Sequence, residues 1–384
     1  IRYLDAEGRR RRTFAAVKDL LVAESKRHPI VLVLEDLHWI DQVSLELIFF
    51  LMETVIDEPI LLFCLYRPDL TDLCWKIGEQ AAIRVPEHLT QIILAPLSPE
   101  ASRELLEGLL TLENAEELKQ RILEKADGNP FYMEEVLRAL IDDKVIAKAN
   151  PDQPDDFRWV LLQDVQEINV PDTLEQMMGA RIDKLLDEPK TVLQRSAVIG
   201  YTFEDDILQS ISQEIRNLDE PLSRLMAMDM VKLKMPPTSS PEYIFEHIIT
   251  HNIAYSSIPG IRRRYLHTQV GNCMEAKHRE HQERMYEQLA QHYHRGQDAK
   301  KAVIYLVKAG TKAKRQYNNK AALAFYQQGL EHLKQLNEVL PEERIEMHEG
   351  LGDVYTILGE FDAAIENYAA TQRSVQDLVH RAAL

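Results

Sequence analysis

An uninterrupted apolar run, Ile30 to Leu34, ends in two adjacent acids, Glu35 and Asp36. A buried strand that delivers two carboxylates at its tip can hold Mg²⁺ through water with one and polarise an attacking water with the other. Phosphoryl transfer needs that arrangement, known as Walker B. The same acids can also do no more than cap the helix that follows, and strand periodicity alone does not separate the two readings. A second candidate pair is His247 and His251, whose i, i+4 spacing suits zinc. The intervening Ile248-Ile249-Thr250 supplies no acid and no third ligand is in sight, which makes zinc the poorer reading. A phosphate cradle needs the string GxxxxGK[ST], and none occurs in these 384 residues.

The elements that must position these groups follow from periodicity. Phe14, Val17, Leu20 and Leu21 recur at helical spacing before His28-Pro29 stops the helix. The run at Ile30–Leu34 then reads as a buried parallel strand, residues 44–56 as an amphipathic helix, residues 59–66 as a second buried strand, and residues 91–97 as a third, shorter one. Strands alternating with helices predict a parallel α/β sheet whose site lies at the carboxyl edge. Ser98-Pro99-Glu100 opens a run of three helices, the last beginning at Pro130. Residues 145–146 and 157–162 flank the stretch NPDQPDD and read as a hairpin. Short helices from Val170 to Met230, then strands at 231–235 and 243–245 around PPTSSPE, describe a winged helix.

Beyond about Tyr286 the pattern is helical hairpins. Leu351, Gly352, Tyr355, Gly359, Ala364 and Tyr368 match tetratricopeptide spacing, in which small residues let paired helices approach and aromatics fill the seam; Leu289, Ala290, Tyr293, Ala302, Leu306 and Ala309 fit the same template. The separation of Ala302 from Ala322 is shorter than the ~34-residue repeat, which predicts an irregular array of two clear repeats and a loose one.

A formal charge of −17, from 45 basic and 62 acidic residues, argues against a chain-wide nucleic-acid surface. The basic clusters Arg9–Arg12 and Arg262–Arg264 read as solvated helix faces, and the candidate recognition helix, residues 218–230, carries Asp219, Glu220 and Asp229 against Arg224, which disfavours duplex DNA. Three scattered cysteines give neither a disulfide framework nor a CxxC site and fit a reducing cytoplasm. No apolar run reaches the ~18 residues a membrane span needs, and the first residues resemble no secretory signal. A start without Met, directly on a helical pattern, reads as a cut end.

The string EDLHWID followed by a Ser-Leu-Glu helix resembles the Walker B segment of STAND-type (AAA-like) signal-transduction ATPases, which occur fused to bacterial class III nucleotidyl cyclases or LuxR-type regulators. The resemblance covers essentially the whole chain. It implies a multi-domain α/β plus α protein: a truncated P-loop NTPase core at 1–97, a helical lid with hairpin at 98–165, a winged helix at 166–258 and a TPR-like array at 259–384. It places Glu35 at the magnesium position, where Asp is more usual, and Asp36 at the catalytic-acid position. Tyr66-Arg67-Pro68 resembles sensor 1, whose guanidinium would stabilise charge on γ-phosphate oxygens. Gly128-Asn129-Pro130-Phe131 resembles the lid's GxP motif, with Pro130 against adenine, although Gly128 as a helix C-cap and Pro130 as N1 account for the same residues. Phe245-Glu246-His247 resembles the segment whose histidine reads the β-phosphate.

The implied cofactors are ATP or ADP with Mg²⁺, bound only with a P-loop upstream of residue 1, and the implied partner is a protein on the TPR-like helices. The parent would be an ATPase, this chain alone inactive. The alternatives are a scaffold with a degenerate nucleotide site, kept open by Glu35, and the regulatory region of a nucleotidyl cyclase.

Overall fold

The apolar run at Ile30–Leu34 forms β1 in a computed structural model, which describes residues 6–67, 72–109, 111–112, 115–149, 158–165, 168, 170–234, 241–279, 282–336 and 340–382. The chain divides into two compact units, one of residues 1–93 with 303–384 and one of residues 94–302.

In the first unit, helix α1 (Ala6–Ser25) precedes β1, and helix α2 (Gln42–Thr54) returns the chain to β2 (Ile60–Cys64), which pairs with β1 in parallel from Ile30↔Ile60 to Leu34↔Cys64. Helix α3 (Trp75–Arg84) follows. One face of the pair joins a core of Leu37, Leu45, Ile48, Cys74 and Ile77. The other, with Val31, Val33, Leu61 and Phe63, is exposed among the described residues, so cover on both faces, expected from the uninterrupted runs, is seen on one. The third strand expected at 91–97 does not form. Ile92, Ile93 and Leu94 are exposed, Leu94 at 90%, and an apolar run without a hydrogen-bonding neighbour has no ladder to join.

In the second unit, helices α4 (Pro99–Leu109), α5 (Glu116–Ala126) and α6 (Pro130–Asp142) bury Leu106, Leu118, Ile122, Met133, Val136 and Leu137 together. Strand β3 (Thr111–Leu112) lies parallel to β5 (Arg158–Leu161), which pairs antiparallel with β4 (Ile146–Lys148). The expected loop at 150–156, with Phe157, lies outside the described residues, as do Met235 and the turn residues 236–240. Helices α7 (Leu174–Asp183), α8 (Asp187–Ile199), α9 (Asp205–Ser210) and α10 (Asp219–Ala227) accompany a three-stranded sheet. It is formed by β6 (Thr202–Glu204), β8 (Glu242–Phe245) and β7 (Val231–Lys234) in that order. Helix α11 (Ile248–Ser256) leads to α12 (Gly260–Lys277) and α13 (Tyr286–Arg295).

Two buried polar networks fasten this unit. Arg181 of α7 pairs with Glu135 of α6, both almost wholly buried, and donates to the Met228 carbonyl at 2.9 Å. Removing either partner of such a pair would leave an uncompensated buried charge. Between α11, α12 and α13, Tyr255 bonds His267 Nε2 at 2.8 Å, and His267 Nδ1 meets His292 Nδ1 at 3.0 Å. The His292 ring also bonds the Ile199 carbonyl. A carbonyl only accepts, so His292 donates to it, His267 donates to His292, and Tyr255 donates to His267; every site is satisfied with both rings neutral. Burial, with the positive charge of Arg295 near both rings and of Arg263 near His267, pushes the His267 imidazole down to about 3 and that of His292 down to about 4.

Helices α14 (Ala299–Arg315), α15 (Asn319–Gln335), α16 (Pro341–Leu358) and α17 (Phe361–Ala382) complete the chain. Their seam is glycine against tyrosine. A Cβ built on Gly310 of α14 would lie 2.6 Å from the Tyr326 ring, one on Gly350 of α16 2.5 Å from the ring's other edge, and one on Gly352 2.6 Å from Tyr368. The same contact occurs upstream, Gly271 of α12 against Tyr293 of α13.

Replacing Gly350 with Ala is expected to cost about 1–3 kcal/mol through overpacking, whereas Gly179→Ala in α7, where a Cβ meets nothing within 4 Å, gains up to about 1 kcal/mol in helix propensity; thermal melts of the two variants check the opposite signs. The histidine pair predicts a pH dependence. Because the folded unit holds both imidazoles well below the 6.5 of a free ring, the unfolded chain binds more protons in that window, so stability is complete above about 6.5 and declines as pH falls toward 4. Melts from pH 7 to 5 are expected to show that decline, with a shallower slope in His292→Gln.

Candidate functional site

Strand alternation would send Glu35 and Asp36 to opposite faces of the sheet. Asp36 instead adopts the left-handed region, φ 54° and ψ 34°, a conformation Asp tolerates better than most side chains. The chain turns there into a single 3₁₀ turn, Leu37–Trp39. Beyond the strand ends, Leu65 N donates to the Leu34 carbonyl at 2.8 Å and Leu37 N to the Leu65 carbonyl at 3.1 Å, which carries Leu65-Tyr66-Arg67 alongside Leu34-Glu35-Asp36. Glu35, Asp36, His38, Leu65, Tyr66 and Arg67 line one cavity of about 270 Å³ at the carboxyl end of the parallel pair.

A third acid decides which carboxylates are at liberty. Asp41 caps α2: its Oδ1 accepts from the amides of Val43 and Ser44 at 2.8 and 3.0 Å, and its Oδ2 from the Ser44 hydroxyl at 2.7 Å. Partial burial opposes ionisation, but those bonds outweigh it and hold the Asp41 carboxyl below its ordinary value. Capping is therefore done by Asp41, while Asp36 makes no side-chain cap. Among the described residues the side chains of Glu35, Asp36 and Arg67 are exposed and make no hydrogen bond or ion pair.

Tyr66 is held by the backbone of Gly78, and burial raises its phenol above the ordinary value. His38 was singled out in the sequence only as part of a string. It lines the cavity, its ring 4.4 Å from that of Trp39, and its Nδ1 is buried without a partner among the described residues. No spacing rule would have found it, because the orphaned nitrogen is a product of the turn at Asp36.

The other expected site residues lie in the second unit. Asp127 and Gly128 both take positive φ, 44° and 76°, as α5 ends. A Cβ on Gly128 would lie 2.5 Å from the Leu97 carbonyl, and Leu97 N donates to the Gly128 carbonyl at 2.9 Å, so only glycine serves both demands. Asn129 caps α6, its Oδ1 accepting from Phe131 and Tyr132 at 3.0 and 3.3 Å, and Pro130 occupies the first turn with its ring exposed. Phe131 then packs its ring on His247, centroids 4.3 Å apart. His247 is half-buried at the start of α11 and makes no side-chain cap. His251 is engaged elsewhere, Nε2 with the Ala197 carbonyl at 3.1 Å and Nδ1 with Asn252 at 3.0 Å. Gly128, Pro130 and His247 are thus gathered through Phe131, as Glu35, Asp36 and Arg67 are gathered by the strand ends.

Among the described residues no group of three or more His, Cys, Asp or Glu is placed to hold a metal by itself. Two uncommitted carboxylates fit an ion that keeps most of its water and takes other oxygens from phosphate, as Mg²⁺ does. Arg224, the basic residue of α10, is engaged by Glu220 at 2.8 Å.

No family model matches the chain, and no curated protein is found similar to it. One solved structure to which it is similar is the signal transduction ATPase with numerous domains (STAND) protein with a tetratricopeptide repeat sensor from Pyrococcus horikoshii. The two share 13% identity over 95% of this chain and 52% of that one, with a TM-score of 0.41. Backbone agreement that loose does not fix a common fold, and the chain spans about half the length of that protein.

Gly128→Ala is expected to lower the thermal midpoint by the equivalent of about 2 kcal/mol or more, since strained backbone and a clash with Leu97 add; a midpoint equal to that of the parent would show the turn to be soft.

Proposed function

We propose that this chain is part of a regulatory signal-transduction ATPase of the STAND type. In this reading Glu35 and Asp36 handle Mg²⁺ and the attacking water, and Arg67 stabilises charge on the transferred phosphoryl group. One observation carries the proposal: Glu35, Asp36 and Arg67, uncommitted to other partners among the described residues, line one cavity where two parallel strands end. Bound Mg²⁺ would supply charge neutralisation and a template for the phosphates; the chain's own acids would orient its water shell.

The phosphate-binding loop would come from outside these 384 residues, since no GxxxxGK[ST] string lies within them. Pro130 would face the base, and His247, held by Phe131, would read the phosphate in the resting state. The segments around β6 to β8 would act as a winged-helix clamp, and the helices from α12 onward as a tetratricopeptide-like array that receives a protein partner. The sequence string EDLHWID supports the reading, as does the division of labour between Asp41, which caps, and Glu35 and Asp36, which do not.

The test uses the protein together with its phosphate-binding loop. Asp36→Asn is expected to abolish ATP turnover, by at least about a hundredfold if it aligns the attacking water, while leaving ATP affinity within a few-fold. Turnover at the parent rate would refute the assignment, and turnover undetectable in the parent itself would favour a scaffold.

A further inference from the structure

We propose that a cavity at the C-terminal end of α12 binds a small hydroxylated monocarboxylate, with Arg279 taking the carboxylate and Asn272 and Gln282 taking the hydroxyls. The inference lies outside the proposed nucleotide site and does not rest on it.

The cavity has a volume of about 560 Å³ and is lined by Asn272, Glu275, Ala276, Arg279, Gln282 and Lys301, all within the second unit. That volume falls in the range of small-molecule sites, about 300–1,000 Å³. Asn272, Glu275, Ala276 and Arg279 follow one another at helical spacing along the last turns of α12 and just past its end at Lys277. Gln282 opens a 3₁₀ turn, Gln282–Met285, and Lys301 comes from the first turn of α14. Ala276 is the one lining residue without a polar side chain, so the walls suit an occupant that carries hydroxyls better than an apolar one.

Which groups are already spent decides the sign of the occupant's charge. Lys301 Nζ donates to Asn272 Oδ1 and to Glu275 Oε2, each at 2.7 Å, and to the Tyr293 hydroxyl at 3.2 Å. Tyr293 in turn donates to Glu275 Oε2 at 2.7 Å. All three ammonium protons are thereby placed. Because lysine only donates, the oxygen of the Asn272 amide must face it, and its Nδ2, a donor, has no partner among the described residues. Gln282 Nε2 reaches the Glu275 carbonyl at 3.5 Å, which leaves Oε1 as an acceptor. Arg279 is exposed and makes no hydrogen bond or ion pair among the described residues.

Lys301 and Glu275 offset each other, and the guanidinium of Arg279 is left over. The carbonyls that end α12 set about half a negative charge nearby, less than the whole charge of Arg279. One negative group restores the balance, whereas a phosphate dianion overshoots it. The planar fork of arginine matches a carboxylate through two parallel bonds. The donor of Asn272 and the acceptor of Gln282 then meet what a hydroxyl, which both gives and accepts, can satisfy.

Calorimetric titration of the whole chain with gluconate tests the proposal, beside sorbitol, which keeps the hydroxyls and lacks the carboxylate. Gluconate is expected to bind saturably at one site, and sorbitol at least about tenfold more weakly, as loss of a charged hydrogen-bond pair implies. Arg279→Gln changes an exposed side chain without partners among the described residues, so its thermal midpoint is expected to match the parent's while gluconate binding weakens by that same factor. Arg279→Lys, which keeps the charge and loses the fork, is expected to fall between the two. Asn272→Asp, which keeps the oxygen that Lys301 uses and removes the donor, is expected to weaken gluconate as well. No saturable gluconate binding, or binding unchanged in Arg279→Gln, would overturn the proposal. So would tighter binding of inorganic phosphate, or of a blocked Gly-Glu-Gly peptide, which would assign the cavity to a phosphate or to an acidic side chain of a protein. No nucleotide is present, so each of these failures leaves the assignment of Glu35 and Asp36 standing.

Discussion

Along a strand successive side chains point to opposite faces, so two adjacent acids share a cavity only where the backbone leaves β geometry between them. Asp36 makes that departure, with φ 54° two residues beyond the end of β1. The turn sends Glu35 and Asp36 toward the same side as Arg67, lays down the 3₁₀ turn that brings His38 to the cavity wall, and leaves Asp41 in position to cap α2. If the residue stayed extended, one carboxylate would be turned away from the other, and the strand tip would have nothing to offer an ion. A positive φ on a residue with a Cβ has an energetic cost, and the hydrogen bonds crossing from Leu65 to Leu34 and from Leu37 to Leu65 hold it in place.

A different constraint governs the helical part. There the separation of paired helices is set by glycine meeting the edge of a tyrosine, at Gly271 with Tyr293, Gly310 and Gly350 with Tyr326, and Gly352 with Tyr368. Tyr293 and Tyr326 bury their rings while Tyr368 stays partly exposed, and all three find a partner for the hydroxyl, as a polar-tipped aromatic in a seam requires. The recurrence makes the array modular.

Much of this was legible beforehand, and the exceptions have physical reasons. Apolar runs at Ile30–Leu34 and Ile60–Cys64 announced a parallel pair, and Asn129-Pro130 announced the start of α6. Residues 91–97 read as a strand because the run Ile92-Ile93-Leu94 is apolar, yet a strand needs a neighbour and none is there among the described residues. Strands β3 and β6, of two and three residues, are too short for any periodicity to register. Arg181 and Glu135 are single charges within helices, and nothing in either local pattern says that they bury against each other. The acids of EDLHWID are ambiguous for the same reason, since capping and metal handling use one residue type, and the bonds made by Asp41 show only which of them caps α2.

The claim on which the account stands is that the two carboxylates after β1 meet the metal of a bound nucleotide. Diffraction from crystals of the protein with its phosphate-binding loop, grown with Mn²⁺ and a non-hydrolysable ATP analogue, locates that ion by its anomalous signal. The account predicts a manganese peak in the cavity of Glu35, Asp36 and Arg67, one water removed from the carboxylates, at roughly 4 Å. A peak elsewhere, or carboxylates left without contact to the ion's water shell, would contradict it.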